Sequence, residues 1–137
     1  MTEKLKILIL DDEVIVGKRL APTLQKHGCE VEVFSNPVEA VKRINEKDFD
    51  IVVTDLRMKE MDGLEVLKQV RNKNERTKII IITGYAMMEI ARKAMELGAF
   101  DFIAKPFKPN DLKIILNKAA VALGFDIDLT APLQSEE

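Results

Sequence analysis

Asp11, Asp12, Asp55, Thr83 and Lys105 are the residues of this chain whose types and spacing could do chemistry together. Each stands at or just after the end of a short apolar run: Leu5 to Leu10, Phe49 to Thr54, Ile79 to Thr83 or Phe100 to Ala104. Three carboxylates held close together repel one another and raise each other's pKa unless a cation neutralises them. A hard divalent ion is the natural remedy. Magnesium, with manganese as the alternative, takes oxygen ligands and keeps room for water and phosphate oxygens. One histidine and one cysteine in the whole chain argue against a zinc or iron site. An aspartate can attack phosphorus to give an aspartyl phosphate. Lys105 could neutralise phosphoryl oxygens, and the Thr83 hydroxyl could donate a hydrogen bond to one of them. Taken singly, each residue has a plainer reading, as a solvated lysine, a strand terminus or a surface acid. Their coincidence at successive strand ends is what points to a site.

The elements that must position them can be read from the pattern. Together with Val31 to Phe34, the apolar runs predict five strands, and their nearly unbroken character suits a parallel sheet covered on both faces. Between Glu13 and His27, Val14, Leu20 and Leu24 make a helical stripe, with Gly28 placed for a left-handed cap. Pro22 predicts a local bend in that helix. Asn36-Pro37-Val38-Glu39 places a capping side chain, a first-turn proline and an acid in the preferred order. Asp62-Gly63-Leu64-Glu65 does much the same, so Asp62 reads as a cap rather than a metal ligand. A fourth helix is expected from about Ala86 to Leu97, ended by Gly98, and a fifth from about Pro109 to Leu123, ended by Gly124. The result is an α/β fold: a (βα)5 doubly wound parallel five-stranded sheet of flavodoxin-like order 2-1-3-4-5. In such sheets ligands bind beyond the carboxyl ends of the strands, and this order makes the first and third strands neighbours. Asp11, Asp12 and Asp55 then converge.

Bulk properties narrow the functional classes. The 137 residues suit one domain, here 1–123, followed by a tail at 124–137 whose role is not legible. A formal charge of -2 removes the usual electrostatic reason to expect nucleic-acid binding. Cys29 has no partner for an internal disulfide, and the Met-Thr-Glu-Lys start shows no signal segment, so a cytoplasmic protein is expected. No apolar run approaches the roughly 20 residues of a membrane span. His27, beside Gly28, reads as a helix C-terminal charge rather than a catalyst.

The order of D-D-E after the first strand, V-V-T-D-L-R-M, I-I-T-G and F-I-A-K-P-F resembles the response-regulator receiver family over residues 4 to about 123. The resemblance implies a phosphorelay receiver rather than an enzyme, one that accepts a phosphoryl group on Asp55 and has intrinsic self-phosphorylation and self-dephosphorylation chemistry. It implies that Asp12 is a direct magnesium ligand, that Asp11 contacts metal-bound water and couples to Asp55, and that the Arg57 carbonyl completes the protein ligands. It further implies that Thr83 draws inward and Phe102 changes rotamer on phosphorylation. The event would thereby reach the surface of the fourth helix, fifth strand and fifth helix. Arg57 and Tyr85 would flank the path of hydrolytic water, and Lys105-Pro106 would be cis. Implied partners are a sensor histidine kinase or phosphotransfer protein, a downstream target or attached output domain, and a phosphorylation-dependent homodimer. The stretch T-G-Y-A-M-M-E-I-A-R-K-A-M-E-L-G-A-F-D-F-I-A-K-P-F is similar to receivers of sigma-54-dependent transcriptional activators. In the loop after Asp55, Lys59-Glu60 departs from the proline-glycine of many relatives.

Two rival classes share parts of this pattern. A magnesium-dependent aspartyl-nucleophile phosphatase would carry a second acid two positions after the nucleophile, where Asp55-Leu56-Arg57 has arginine. In a flavodoxin the first loop would cradle phosphate, whereas Asp11-Asp12-Glu13 repels it. The fourth helix shows two apolar stripes, Met87, Ile90, Ala94 and Leu97 on one, Met88, Ala91 and Met95 on the other. One stripe is expected to be buried, leaving Met88 and Met95 for a phosphorylation-dependent contact.

Overall fold

The computed structural model describes residues 3–13, 15–58, 61–84 and 88–133. Strands and helices alternate along the chain: β1 (Lys6–Leu10), α1 (Ile15–Lys26), β2 (Glu30–Phe34), α2 (Pro37–Glu46) and β3 (Ile51–Asp55). The second half continues with α3 (Gly63–Lys73), β4 (Lys78–Thr83), α4 (Met88–Glu96), β5 (Asp101–Ala104) and α5 (Pro109–Ala122). All strand pairs are parallel, in the order β2-β1-β3-β4-β5.

Period-two alternation sends successive side chains to opposite faces of the sheet. Ile7, Ile9, Val53, Ile80 and Ile82 pack with Leu20 and Leu24 of α1 and Leu112 and Leu116 of α5. Leu8, Leu10, Val52, Ile79 and Ile81 pack with Ile44 of α2, Leu67 and Val70 of α3 and Ala91 of α4. Every residue of β3 is buried, which is why its sequence reads as a continuous apolar run ending in a threonine and an acid.

Helix ends follow the local chemistry. Asn36 Oδ1 accepts from the Val38 and Glu39 amides at 2.8 and 3.2 Å. Asp62 Oδ1 accepts from the Glu65 amide at 2.9 Å, which bears out the capping role. Gly28, Gly98 and Gly124 have φ of 90°, 108° and 92°, a region costly for other residues. The amides of Cys29, Ala99 and Phe125 then turn back to the carbonyls of Leu24, Ala94 and Ala120, closing α1, α4 and α5 in the same manner. Helix α1 continues through Pro22 to Lys26, so the missing amide does not end it.

Two features correct the sequence reading, and a third fills in what it left open. Strand β2 is an edge strand, half-buried throughout, and its sequence alternates: Glu32 faces Arg43 at 2.7 and 3.1 Å rather than extending an apolar run. On α4 neither apolar stripe is buried as a unit. Ala91 and Ala94, one from each stripe, form the covered line with Ile90 packed beside it, Met88 is half-buried, and Met95 and Leu97 are exposed. Small alanines let the helix approach the sheet, and the larger flanking residues are left at the margins. Met87 lies outside the described residues. Beyond α5 the chain folds back on the domain. Phe125 and Ile127 pack against the core beneath α1 and α5, Leu129 is fully buried in it, and the Leu129 amide donates to Asn117 Oδ1 at 2.8 Å.

Candidate phosphoacceptor and metal site

The carboxyl ends of β1, β3, β4 and β5 converge on one rim. Asp11 follows β1 directly, its amide donating to the Phe34 carbonyl at 3.1 Å. Only 1 % of Asp11 is exposed, although it carries a carboxyl group. Its Oδ1 accepts from the Glu13 amide at 2.8 Å, and its Oδ2 is buried without a hydrogen-bond partner among the described residues. Burial pushes the Asp11 carboxyl up to about 6, with Asp55 and Asp12 adding to the rise against the pull of the Glu13 amide and Lys105.

Asp55 ends β3 with its carboxyl group largely buried. Lys105, one residue past β5, places Nζ 2.9 Å from Asp55 Oδ2 and 3.7 Å from Asp11 Oδ1. The other Asp55 oxygen, Oδ1, accepts from the Arg57 amide at 3.3 Å. Burial works against the charge on Lys105, but its hydrogen bond to Asp55 and the nearby Asp55, Asp11 and Glu13 carboxylates outweigh it and raise its pKa. The Lys105 amide donates to the Thr83 carbonyl at 2.7 Å, which ties the lysine to the end of β4. The Lys105-Pro106 peptide is cis, as the family resemblance implied.

Asp12 is exposed at the mouth. Asp11, Asp12 and Asp55 each offer an oxygen within 4.8 Å of the others. This donor set fits a hard divalent cation. It is all oxygen, and among the described residues Lys105 is the lysine that meets these acids and the buried Asp11 Oδ2 lacks a hydrogen-bond partner, a costly state for a polar atom.

The remaining expected residues divide. Thr83 is fully buried at the end of β4, and its hydroxyl donates to the Gly84 carbonyl at 3.1 Å. Phe102, half-buried on β5, packs against the core cluster that includes Ala91 and Ala94 of α4. Arg57 is exposed and enters the site through its backbone amide. Tyr85, Lys59 and Glu60 lie outside the described residues. His27 packs Nε2 into a buried position without a hydrogen-bond partner among the described residues, away from this rim.

Two contributors were missed in the sequence. Thr54, fully buried, donates its hydroxyl to the Asp55 carbonyl at 3.0 Å. Its signal was a lone hydroxyl inside an otherwise apolar strand. Gly63 donates its amide to the Leu56 carbonyl at 2.8 Å, while the Leu56 amide donates to Ile82 at 3.0 Å. Leu56, the residue after the candidate acceptor, is therefore held through both its amide and its carbonyl.

Comparisons with known proteins agree with this fold. The regulatory protein AtoC of Escherichia coli K12 is 38 % identical over 119 residues, covering 87 % of this chain and 26 % of AtoC. The transcriptional regulatory protein ZraR of Klebsiella oxytoca is 34 % identical over 117 residues, covering 85 % of this chain and 26 % of ZraR. This chain thus spans about a quarter of the length of these curated relatives. Among solved structures, a response regulator receiver domain protein from Clostridium thermocellum superposes with a TM-score of 0.78 at 31 % identity, over 85 % of this chain and 94 % of that one. NtrX from Brucella abortus gives a TM-score of 0.80 at 28 % identity, over 89 % of this chain and 28 % of NtrX. The family model described as the response regulator receiver domain matches residues 7–117, and the chain belongs to that family.

Proposed function

We propose that this domain receives a phosphoryl group on Asp55 from a phosphohistidine of a sensor kinase or phosphotransfer protein. The observation that carries the proposal is the position of Lys105, whose ammonium touches Asp55 and approaches Asp11 inside a three-carboxylate cluster. A buried carboxylate beside a cation and a cluster that attracts a second cation suits phosphoryl transfer, where positioning and charge neutralisation do most of the work. An Asp55 oxygen attacks phosphorus, a P–O bond forms, and the P–N bond breaks with its electron pair leaving on the imidazole. Lys105 stays beside Asp55 to neutralise the phosphoryl oxygens.

Asp11, Asp12, Asp55 and the Arg57 carbonyl would hold magnesium, or manganese in its place, and the bound ion would offset the negative charge of the carboxylates and phosphoryl oxygens. Thr83 reports the event by exchanging its Gly84 carbonyl for a phosphoryl oxygen, and Phe102 follows it across β5. The surface of α4, β5 and α5 then engages a downstream target, an attached output domain or a second copy of the chain. The likeness to sigma-54-dependent activators agrees with relatives that are regulators of transcription. Arg57 and Tyr85 govern how long the phosphoryl group survives, since bulk and charge beside it hinder an attacking water. The acidic rim gives no attraction for nucleic acid, and no helix among the described residues is long and apolar enough to cross a membrane. The phosphatase alternative lacks its second acid, because Arg57 stands two residues after Asp55.

Incubation with a small phosphodonor, with magnesium or with a chelator, tests the proposal by intact-mass measurement. One added phosphoryl group in magnesium and none in chelator is expected. Equal incorporation in both would sink it.

A further inference from the structure

Helix α3 meets the acceptor strand at Gly63, its first residue. A Cβ placed on Gly63 would lie 2.4 Å from the Asp55 carbonyl oxygen, 2.9 Å from Leu56 Cα and 3.1 Å from the Asp55 carbonyl carbon. All three are backbone atoms, which cannot swing aside as a side-chain tip can. Gly17 provides the contrast, since a Cβ there would meet the Val33 Cγ1 atom at 2.6 Å, a methyl on a rotatable side chain. The positive-φ glycines are Gly28, Gly98 and Gly124, so Gly63 is not needed for a left-handed backbone. What it supplies is missing volume. Through it the α3 backbone closes on the Asp55–Leu56 peptide, the Gly63 amide reaches the Leu56 carbonyl at 2.8 Å, and the Asp62 cap fixes the entry of the helix.

We infer that Gly63 is a positioning residue for phosphoryl transfer: its absent side chain seats α3 directly on the Asp55–Leu56 backbone and thereby sets where the Asp55 carboxylate and the Arg57 peptide stand. The inference rests on the phosphoacceptor reading above. Any β-carbon at this position must push the Asp55 carbonyl or lift the helix. Either movement alters the registry of Asp55 with Asp11 and with Lys105, which follow β1 and β5.

The test compares the wild-type chain with Gly63→Ala and with Leu129→Ala, which removes core packing from the opposite face of the sheet. Magnesium affinity is measured by calorimetric titration, phosphorylation rate with a small phosphodonor, and folding by circular dichroism with an osmolyte present. Gly63→Ala is expected to stay folded, to bind magnesium about 10- to 100-fold more weakly, and to phosphorylate about 100-fold more slowly. Leu129→Ala is expected to melt earlier while keeping magnesium affinity and rate within about twofold of wild type, because distant sites act independently. A folded Gly63→Ala that matches wild type in both measurements overturns the inference, and so does an equal loss in Leu129→Ala. Failure of Gly63→Ala to fold in osmolyte assigns the glycine to the fold alone and also overturns it. A wild-type chain that takes up neither magnesium nor phosphate sinks the phosphoacceptor reading itself, and this inference with it.

Discussion

The Lys105 ammonium stands 2.9 Å from Asp55 Oδ2 and 3.7 Å from Asp11 Oδ1, so a single lysine from the end of β5 answers carboxylates from the ends of β3 and β1. Replacing it with methionine keeps most of the apolar stem and deletes the charge. Lys105→Met is expected to slow phosphorylation of Asp55 by about 100-fold, the usual scale for losing one charge-stabilising donor. Single-turnover rates with a small phosphodonor measure it. An unchanged rate would remove Lys105 from the chemistry.

The metal-free domain should become less stable as pH rises through about 6. Burial raises the Asp11 carboxyl from 3.8 to about 6, so between those values the folded chain holds a proton that the unfolded chain has lost. The stabilisation is complete below about 3.8 and is lost as pH passes the folded value near 6. Urea denaturation in chelator at a series of pH values should show this falling contribution, and Asp11→Asn should flatten it. If the variant retains the wild-type slope, the slope has another source.

The segment after α5 belongs to the core energetically. Leu129 is fully buried and its amide is held by Asn117, so Leu129→Ala should lower stability by about 2 to 5 kcal/mol, the range for a buried leucine truncated to alanine. Ending the chain at Gly124 should cost at least as much. Chemical denaturation decides, and a shortened chain as stable as the full one would show that the packing of Phe125, Ile127 and Leu129 contributes nothing.

Strand ends and helix caps were legible because they depend on local chemistry. The Asn36 and Asp62 caps, the turns at Gly28, Gly98 and Gly124, and the acids closing β1 and β3 all follow from residue type and position. Where the sequence failed, the deciding factor was tertiary. Counting large apolar residues on α4 predicted one whole stripe to be buried, whereas the covered line is Ala91 and Ala94, whose small size permits close approach to the sheet. Leu129 sits in no periodic segment, so nothing local announces its burial. Glu32 interrupts the apolar run of β2, and the predicted order 2-1-3-4-5 already puts that strand at the sheet edge, where Arg43 and Lys47 reach it. Gly63 reads as an ordinary helix-start glycine until the Asp55 backbone is placed beside it.

The most direct test of Asp55 as the acceptor is to locate the phosphoryl group. After treatment with a phosphodonor and magnesium, borohydride reduces an aspartyl phosphate to homoserine, and peptide mass spectrometry then identifies the altered residue. Homoserine at position 55 in the wild type, and none at any position in Asp55→Asn, is the expected result. Homoserine at Asp11 or Asp12 in the wild type, or the same phosphate uptake in Asp55→Asn, would contradict the assignment of Asp55.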